Sequence, residues 1–255
     1  SALLGSRTDA SEVDELRRAG VVVDERTVVP LLAEERDGGP TRAAAAALAL
    51  SAGTVAPEAA ARRAGCTVEV VRFGHPAATS LVASAERLLA TSGVRTSGGT
   101  TGRRTGRGRG PRLGLLVGAG EPDRELADRW LRDAVPFVVA RLREGRAVLG
   151  PFVAPGRTAC LRCVDAHHTD CDPDWPLLVR QLADACVRDR VDGVPEPVDP
   201  SLGEVAVAWA CRDLLTYLDG GRPTTWSATL SLDADLGGLE RRAWPRHAEC
   251  ACTWA

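Results

Sequence analysis

Lysine and methionine are both absent from this chain of 255 residues. Without a lysine ammonium group, the chain cannot form a Schiff base or build the lysine-containing phosphate loop of Walker-type nucleotide-binding proteins. A bound phosphate would therefore be held by arginine side chains or by backbone amides. Because the sequence has no initiator methionine before Ser1, we expect that it starts inside a longer protein.

Long apolar runs are also missing, since we find no stretch that we expect to cross a bilayer and no signal-like N-terminus. Both absences favour the cytoplasm, where cysteine thiols stay reduced. The formal net charge is -2, which gives no overall field that attracts nucleic acid or an anionic membrane. We expect neither of them as a partner.

The rest of the composition favours one sizeable core with a smaller appendage, because 44% of the residues are hydrophobic and 26% are charged. From residue 66 onward, strand patterns alternate with helical patterns. Strands are predicted over 67 to 72, 94 to 96, 113 to 117, 137 to 142 and 147 to 153, and helices over 79 to 91, 122 to 131, 175 to 190 and 203 to 217. Segments 227 to 232 and 239 to 242 are predicted to add antiparallel strands. The alternation predicts an α/β fold, a Rossmann-like, mostly parallel sheet with helices on both faces.

Helical patterns dominate before residue 66. A helix is predicted over 11 to 19, ended by Gly20 and followed by a strand at the valine run 21 to 23. Two alanine-rich helices are predicted over 41 to 51, with Thr41 as the N-cap, and over 57 to 64, where Pro57 suits the first turn. We interpret these two as connecting helices.

Four of the eight cysteines form two close pairs, Cys160 with Cys163 and Cys250 with Cys252. Four thiolates in two such pairs are typical of a closed tetrahedral zinc site, which is structural rather than catalytic. A zinc ion held by all four would tie the C-terminal tail to the middle of the chain. Disulfide bonds and free thiols are the alternatives, and a reducing compartment disfavours the disulfides.

The other four cysteines have a simpler interpretation. Cys186 and Cys211 lie in apolar helical patterns, which predict buried and inert thiols. Cys66 and Cys171 are also left over once the zinc ligands are assigned. We assign no nucleophilic role to any of them.

Histidines and aspartates near the cysteine pairs offer further ligands. His167 or His168 is close enough to replace a cysteine, although four well-spaced thiols make this unnecessary. His247 is either a donor to a thiolate from outside the ligand shell or an exposed side chain. Three aspartates suggest a magnesium site or, as we favour, a turn before a helix: Asp170, Asp172 and Asp174.

The segment from 97 to 112 is made mostly of glycine, threonine and arginine, so we predict a mobile loop. It contains four closely spaced arginines: Arg103, Arg104, Arg107 and Arg109. RNA or phosphate binding is the alternative, but no aromatic residue is interleaved to stack on a base.

Several motifs together resemble the ThiF-type branch of the ubiquitin-activating superfamily. They are GPFVAPGRTACLRC at 150 to 163, DAHH at 165 to 168, DPDWP at 172 to 176 and WPRHAECAC at 244 to 252. The resemblance is to the ThiF-like proteins that help make azole-containing ribosomal peptides. It implies that the chain binds the leader of a precursor peptide beside a YcaO-type cyclodehydratase, which would form thiazoline or oxazoline rings with ATP. It also implies a homodimer.

Residues 3 to 24 resemble the last helix and following segment of the winged-helix element that reads leader peptides in such proteins. There the leader adds as a strand beside the wing. The resemblance thus divides the chain into a winged-helix remnant at 1 to 29, a helical connector at 30 to 65 and a ThiF-like domain with the zinc site at 66 to 255. A helical decoration without a ligand is the alternative.

The residues that an adenylating member of the superfamily needs are missing. Such an enzyme has a glycine-rich turn after its first strand and a carboxylate at the end of the next one. Here the first turn reads FGHPAAT at 73 to 79, where Pro76 removes an amide donor, and the next strand runs into TSGG at 96 to 99. The later GAGE at 118 to 121 is more simply a turn.

We therefore assign no catalytic and no nucleotide-binding residue, and interpret the protein as an ATP-incompetent ThiF-like scaffold. Two alternatives stay open. One is an adenylating or sulfur-transferring ThiF-type enzyme with an unusual nucleotide loop, and the other is a zinc-stabilised assembly protein of another pathway.

Overall fold

The computed structural model describes residues 10–19, 21–33, 39–99, 111–185 and 197–254. Its helices are α1 (Ala10–Arg18), α2 (Glu25–Ala33), α3 (Arg42–Ala52), α4 (Ala56–Gly65), α5 (Thr79–Thr91), α6 (Arg124–Arg132), α7 (Leu161–Thr169), α8 (Trp175–Ala185) and α9 (Pro200–Leu218). Its strands are β1 (Thr67–Gly74), β2 (Arg95–Gly99), β3 (Arg112–Ala119), β4 (Phe137–Arg143), β5 (Arg146–Leu149), β6 (Ala228–Leu232) and β7 (Leu239–Ala243).

Seven strands form one mixed sheet in the order β2-β1-β3-β4-β5-β6-β7. The first four in this order pair in parallel, and the remaining pairs are antiparallel. Helices cover both faces, so the predicted α/β fold is confirmed, together with the late antiparallel strands. Because β1 lies between β2 and β3, the winding direction of the sheet reverses between β1 and β3. Open α/β sheets bind their ligands at such a point.

The central strands are apolar along their length because helices bury both of their faces. In β3, Leu115 and Val117 pack against the side covered by α5 and α9, whereas Leu116 packs with Trp130 and Phe137 on the other side. All five side chains are at most 1% exposed. The two-residue period of the strand thus builds two cores, one under α5 and α9 and one under α6 and α7.

Two glycines allow these layers to approach closely. A Cβ atom on Gly114 of β3 would lie 2.6 Å from the Trp130 ring of α6. A Cβ atom on Gly203 of α9 would lie 2.9 Å from the Leu81 side chain of α5. Both positions therefore need glycine for packing rather than for a turn.

The N-terminal part is more helical than predicted. α2, α3 and α4 share a small apolar core, and α4 contacts α9 and β2. The strand expected at 21 to 23 is not formed, because the amides of Val21 and Val22 bond to the Leu16 carbonyl and close α1. No strand lies beside these valines in the described residues, so their β-propensity has no partner. Residues 1 to 9 and Gly20 lie outside the described parts, and the domain boundaries stay predictions.

One stretch, Arg42–Gly65, is long and apolar enough by length and composition to cross a membrane, with a mean hydropathy of 1.3. Our expectation that no such run exists is wrong for these 24 residues. The stretch consists of α3 and α4 with a 3₁₀ turn, Gly53–Val55, between them. Arg63 of α4 is buried and pairs with Asp219 at the end of α9, at 2.6 Å, which ties the stretch to the sheet domain.

The segments near the cysteine motifs differ from prediction in two places. The strand predicted to reach residue 153 ends at Leu149, where Gly150 adopts a φ of 83° and turns the chain. Helix α7 was not predicted at all. The aspartate run forms the expected turn before α8, since Asp172 accepts a bond of 3.0 Å from the Asp174 amide. Cys186 and the four loop arginines lie outside the described residues.

A buried carboxylate anchors the loop between α9 and β6. Asp213 is 1% exposed and accepts bonds from both the amide and the hydroxyl of Thr224 and of Thr225, at 2.5 to 2.9 Å. These four bonds replace the water that the carboxylate loses on burial. The loop is therefore fixed to the end of α9.

Replacing this carboxylate should destabilise the whole domain. In Asp213→Ala, the amides and hydroxyls of Thr224 and of the buried Thr225 lose their acceptor, which we expect to lower the free energy of unfolding by about 3 kcal/mol. Urea denaturation measures the loss. The matched control is Asp235→Ala, which removes an exposed carboxylate and should change stability by no more than about 0.5 kcal/mol. Equal losses in the two variants would show that the Asp213 bonds contribute nothing special.

Candidate functional site

The four cysteines predicted to bind zinc come together beside the start of α7. Cys160 is the N-cap residue of α7 and Cys163 lies in its first turn. Three residues apart on a helix, they face the same side. Cys250 precedes the short 3₁₀ helix Ala251–Trp254, and Cys252 lies inside it. The C-terminal segment is thus held against the middle of the chain.

The spacing of the sulfur atoms fits a tetrahedral metal site. The Sγ–Sγ distances are 3.8 Å for Cys160 and Cys163, 3.6 Å for Cys160 and Cys250, and 3.3 Å for Cys163 and Cys252. All four sulfurs lie within 4.8 Å of one another. Metal–sulfur bonds of about 2.3 Å place tetrahedral sulfurs about 3.8 Å apart, whereas a disulfide needs about 2 Å. The cluster is therefore one of free thiols that could bind a metal ion, and no disulfide forms among the described cysteines.

The thiols of the cluster differ in acidity because they share protons. A hydrogen bond from Cys160 lowers the pKa of Cys163 to about 4, and the same bond together with burial raises the pKa of Cys160. Burial, more than any other cause, raises the pKa of Cys252 to about 12. Several thiols at this spacing cannot all ionise without a cation between them, and a metal ion would supply that charge.

Groups outside the four sulfurs brace the cluster. The backbone N–H of His247 donates to the Cys163 sulfur, so its contribution comes from the backbone rather than from the ring. Arg246 donates to the carbonyls of Gly156 and Cys252, both at 2.9 Å. These bonds join the loop before α7 to the C-terminal segment.

A second group of possible ligands consists of His167, Asp170 and His247. Nδ1 of His247 accepts the Glu249 amide at 3.2 Å, and its Nε2 is 3.0 Å from Asp170. This makes Nε2–H the donor to the carboxylate, whereas a metal at Nε2 would need the proton on Nδ1. His167 bonds to the Pro245 carbonyl instead, at 2.9 Å. Hydrogen bonding thus accounts for this group, and no histidine replaces a cysteine.

The other described cysteines lie apart from the cluster. Burial raises the pKa of the Cys66 thiol to about 11 and that of Cys211 to about 12. Both side chains are buried, so the prediction that Cys211 is buried is confirmed, and a buried thiol with a raised pKa is a poor nucleophile. Cys171 is exposed.

At the crevice between β1 and β3, where a nucleotide would bind, the turn after β1 has no free amide from residue 75 to residue 79. The His75 amide donates to the Ala119 carbonyl at 3.4 Å, Pro76 has no amide proton, and the Ala77 amide bonds to the His75 ring at 3.2 Å. The amides of Ala78 and Thr79 donate to the carbonyls of His75 and Pro76. The turn therefore satisfies its own donors.

A carboxylate does lie near the end of β2, although the strand itself ends in glycines. The Glu86 side chain of α5 occupies the space where a Cβ atom of Gly98 would stand. Sequence reasoning missed this group because it looked for an acidic residue on the strand. In dinucleotide-binding folds a carboxylate at this position bonds the ribose.

Next to α7, buried charges line a cavity of about 290 Å³. Glu121 accepts bonds from Arg124 at 2.8 Å and from Arg141 at 2.7 Å, and Asp165 of α7 pairs with Arg124 through two bonds of 2.7 Å. Burial alone would raise the pKa of Asp165, but the Arg124 guanidinium outweighs it and holds the pKa below its usual value. Trp175 of α8 donates to the same carboxylate at 3.1 Å.

This charge network joins α6, α7, α8 and β4, and no thiol lines the cavity. The volume is at the low end for small-molecule sites, so the network fits a bracing role better than a nucleotide. Sequence reasoning missed it because its members are scattered along the chain. Glu121 was interpreted as a turn residue, which it is, and Asp165 was noted only as part of a motif.

No protein-family profile and no curated protein matches the sequence. Solved structures do. The heterocyclase TruD superposes with a TM-score of 0.63 at 15% identity, over 95% of this chain and 33% of its own. The microcin C7 biosynthetic enzyme MccB in complex with N-formylated MccA gives 0.62 at 13%, over 99% of this chain and 84% of its own. E. coli MccB with ATP gives 0.61 at 13%, over 97% and 82%.

The chain shares its fold with TruD and MccB. It spans about a third of the length of the TruD chain and most of the MccB chain. At these identities the likeness concerns the fold alone. The four-cysteine cluster and the self-satisfied turn after β1 are properties of this chain's own residues.

Metal analysis tests the cysteine cluster directly. We expect one metal ion per purified chain, and we expect Cys163→Ser to lose it because a hydroxyl is a poor replacement for a thiolate. Removing the ion with a chelator should lower the Tm by on the order of 10 °C. Elemental mass spectrometry and thermal unfolding measure the two effects.

The control variant is Cys171→Ser, which removes an exposed thiol outside the cluster and should keep both the metal and the Tm. Wild-type protein that carries no metal when purified and reloaded under reducing conditions would contradict the assignment. So would a Cys163→Ser variant that still binds one equivalent.

Proposed function

We propose that this protein is an ATP-incompetent ThiF-like scaffold in the biosynthesis of ribosomal peptides. It binds the leader of a precursor peptide and presents the core to a YcaO-type cyclodehydratase, which forms thiazoline or oxazoline rings. The motif resemblance supports this proposal, and so does the fold that the chain shares with the heterocyclase TruD and with MccB bound to MccA. In this proposal the protein is a homodimer and acts in the cytoplasm.

The turn after β1 is the observation that carries the proposal. Its amides are all engaged by His75, Pro76 and Ala119 or lost to proline. The phosphate cradles of nucleotide-binding folds use several free amides aimed at the phosphate oxygens. The shared fold therefore comes without the group that would make it an adenylating enzyme.

Zinc is the metal we propose for Cys160, Cys163, Cys250 and Cys252. Four thiolates at tetrahedral spacing favour zinc over harder cations, which prefer oxygen ligands. A site closed by four protein ligands has no open position for substrate or water. Zinc is accordingly structural, and no residue of this chain is assigned a catalytic role.

The N-terminal segment is the proposed leader-binding element. Val21 and Val23 are 66% and 39% exposed beside α1. An extended leader covering them would bury apolar surface, as in strand-addition recognition. The gain in rate would come from tethering, since binding the leader raises the concentration of the core peptide near the partner.

An adenylating enzyme is the second candidate function. Two observations favour it: the Glu86 carboxylate beside Gly98, at the end of β2, and the similarity to a structure of MccB with ATP. Under this alternative the turn at His75 would open when nucleotide binds.

Reconstitution tests the scaffold function. A YcaO-type cyclodehydratase and its precursor are mixed with ATP, with and without this protein, and ring formation is followed as the loss of water by mass spectrometry. We expect the protein to raise the rate by on the order of 10²-fold at low precursor concentration. Removing the leader from the precursor should abolish the increase.

Matched valine variants locate the leader site. Val21→Asp combined with Val23→Asp should remove most of the rate increase, whereas Val55→Asp, at a valine that is 53% exposed in the 3₁₀ turn, should keep it. A cyclodehydratase that forms rings equally fast without this protein would contradict the proposal. Full activity of the double aspartate variant would show that the N-terminal segment does not bind the leader.

A further inference from the structure

A second groove lies at the other end of the parallel strands from the nucleotide crevice, next to the first residues of β1 and β3. Its volume is about 810 Å³. We call it the Arg–Trp groove, and its walls are formed by Arg62, Pro111, Arg157, Tyr217, Leu218, Gly220, Gly221, Arg222 and Trp226. No role has been assigned to it so far.

The groove carries positive charge that the described residues do not balance. Arg62, Arg157 and Arg222 line it, and no carboxylate side chain does. Arg157 and Arg222 form no salt bridge within the described parts of the chain, and Arg62 bonds only to the backbone carbonyls of Leu218 and Asp219. All three of these arginines are exposed, whereas the mostly buried Arg124 is paired with the Asp165 carboxylate. Three guanidinium groups without a counter-charge make the groove complementary to an anion.

An aromatic ring holds two of these arginines in place. The guanidinium carbons of Arg157 and Arg222 lie 5.0 and 5.8 Å from the centre of the Trp226 ring. Trp226 in turn stacks on Phe152, with the ring centres 6.0 Å apart. Because these contacts already restrict both arginines, a ligand pays less conformational entropy to bond to them.

Buried polar bonds fix the walls of the groove. The four bonds to Asp213 hold the loop that carries Arg222 and Trp226. The Arg63–Asp219 ion pair holds α4, with Arg62, against the end of α9. The groove is therefore shaped before any ligand binds.

We propose that the Arg–Trp groove docks an acidic segment of a partner protein, whose carboxylates bond to Arg157 and Arg222 while an apolar side chain packs on Tyr217. Arginine, tyrosine and tryptophan are the residues that most often dominate the energy of protein interfaces. Arg–carboxylate pairs with two parallel bonds supply the specificity.

The same features disfavour a nucleotide in this groove. The Gly220 and Gly221 amides already donate to the carbonyls of Tyr217 and Thr216 and so form no phosphate cradle. Arg157 and Arg222 also occupy the Trp226 ring on which a base would stack. The inference is independent of the leader-binding proposal, since it involves none of residues 1 to 29 and no part of the crevice.

Selection from a random peptide library tests the proposal. A phage-displayed library is panned on the metal-loaded full chain, and enriched peptides are measured by fluorescence anisotropy. We expect enrichment in aspartate and glutamate, and affinities that fall as salt is added. Arg157→Glu combined with Arg222→Glu should weaken binding of the enriched peptides at least about tenfold, and the corresponding Gln pair should also weaken it.

Arg87→Glu combined with Arg241→Glu is the matched control, because it changes the net charge equally at two exposed arginines outside the groove. It should leave binding within about twofold of wild type. Three results would each overturn the proposal: no enrichment of acidic peptides, equal binding by the Arg157/Arg222 and control variants, or displacement of the peptides by ATP at the groove.

Discussion

The meeting of four thiols beside α7 is the constraint on which one whole face of the molecule depends. It holds the C-terminal segment, α7 and the loop before α7 together, and it does so across a long separation in sequence. Asp165, which α7 contributes to the buried charge network, is positioned by the same helix. Arg157, in the loop before Cys160, belongs to the Arg–Trp groove. The cysteine cluster therefore connects two distant features of the molecule.

The crevice at the reversal point of the sheet is the second feature on which the proposed function depends. Winding reverses between β1 and β3 as in nucleotide-binding folds, yet the turn that would cradle a phosphate bonds to itself through His75. A fold can keep its architecture when one turn does not bind a ligand, because sheet packing depends on the apolar strands rather than on the turn. In our proposals this fold is a platform on which a leader peptide and an acidic partner segment dock.

Much of this could be predicted from sequence, because period-two apolar runs and paired cysteines are local signals. Most strands and helices from Thr67 onward, α7 excepted, and the assembly of Cys160, Cys163, Cys250 and Cys252 follow from such signals. Three features did not. The valines at 21 to 23 have no partner strand in the described parts of the chain, the Glu121–Arg124–Asp165 network joins residues scattered in sequence, and Glu86 reaches Gly98 from a helix. Each depends on tertiary contacts that no local pattern records.

The central claim is that this fold works without a nucleotide, and calorimetric titration of the metal-loaded protein with Mg-ATP tests it most directly. The account predicts no heat of binding at millimolar nucleotide, because every amide of the turn after β1 is already satisfied. Saturable binding at one site per chain would contradict it. In that case the turn at His75 must open, and an adenylating enzyme becomes the better description of this protein.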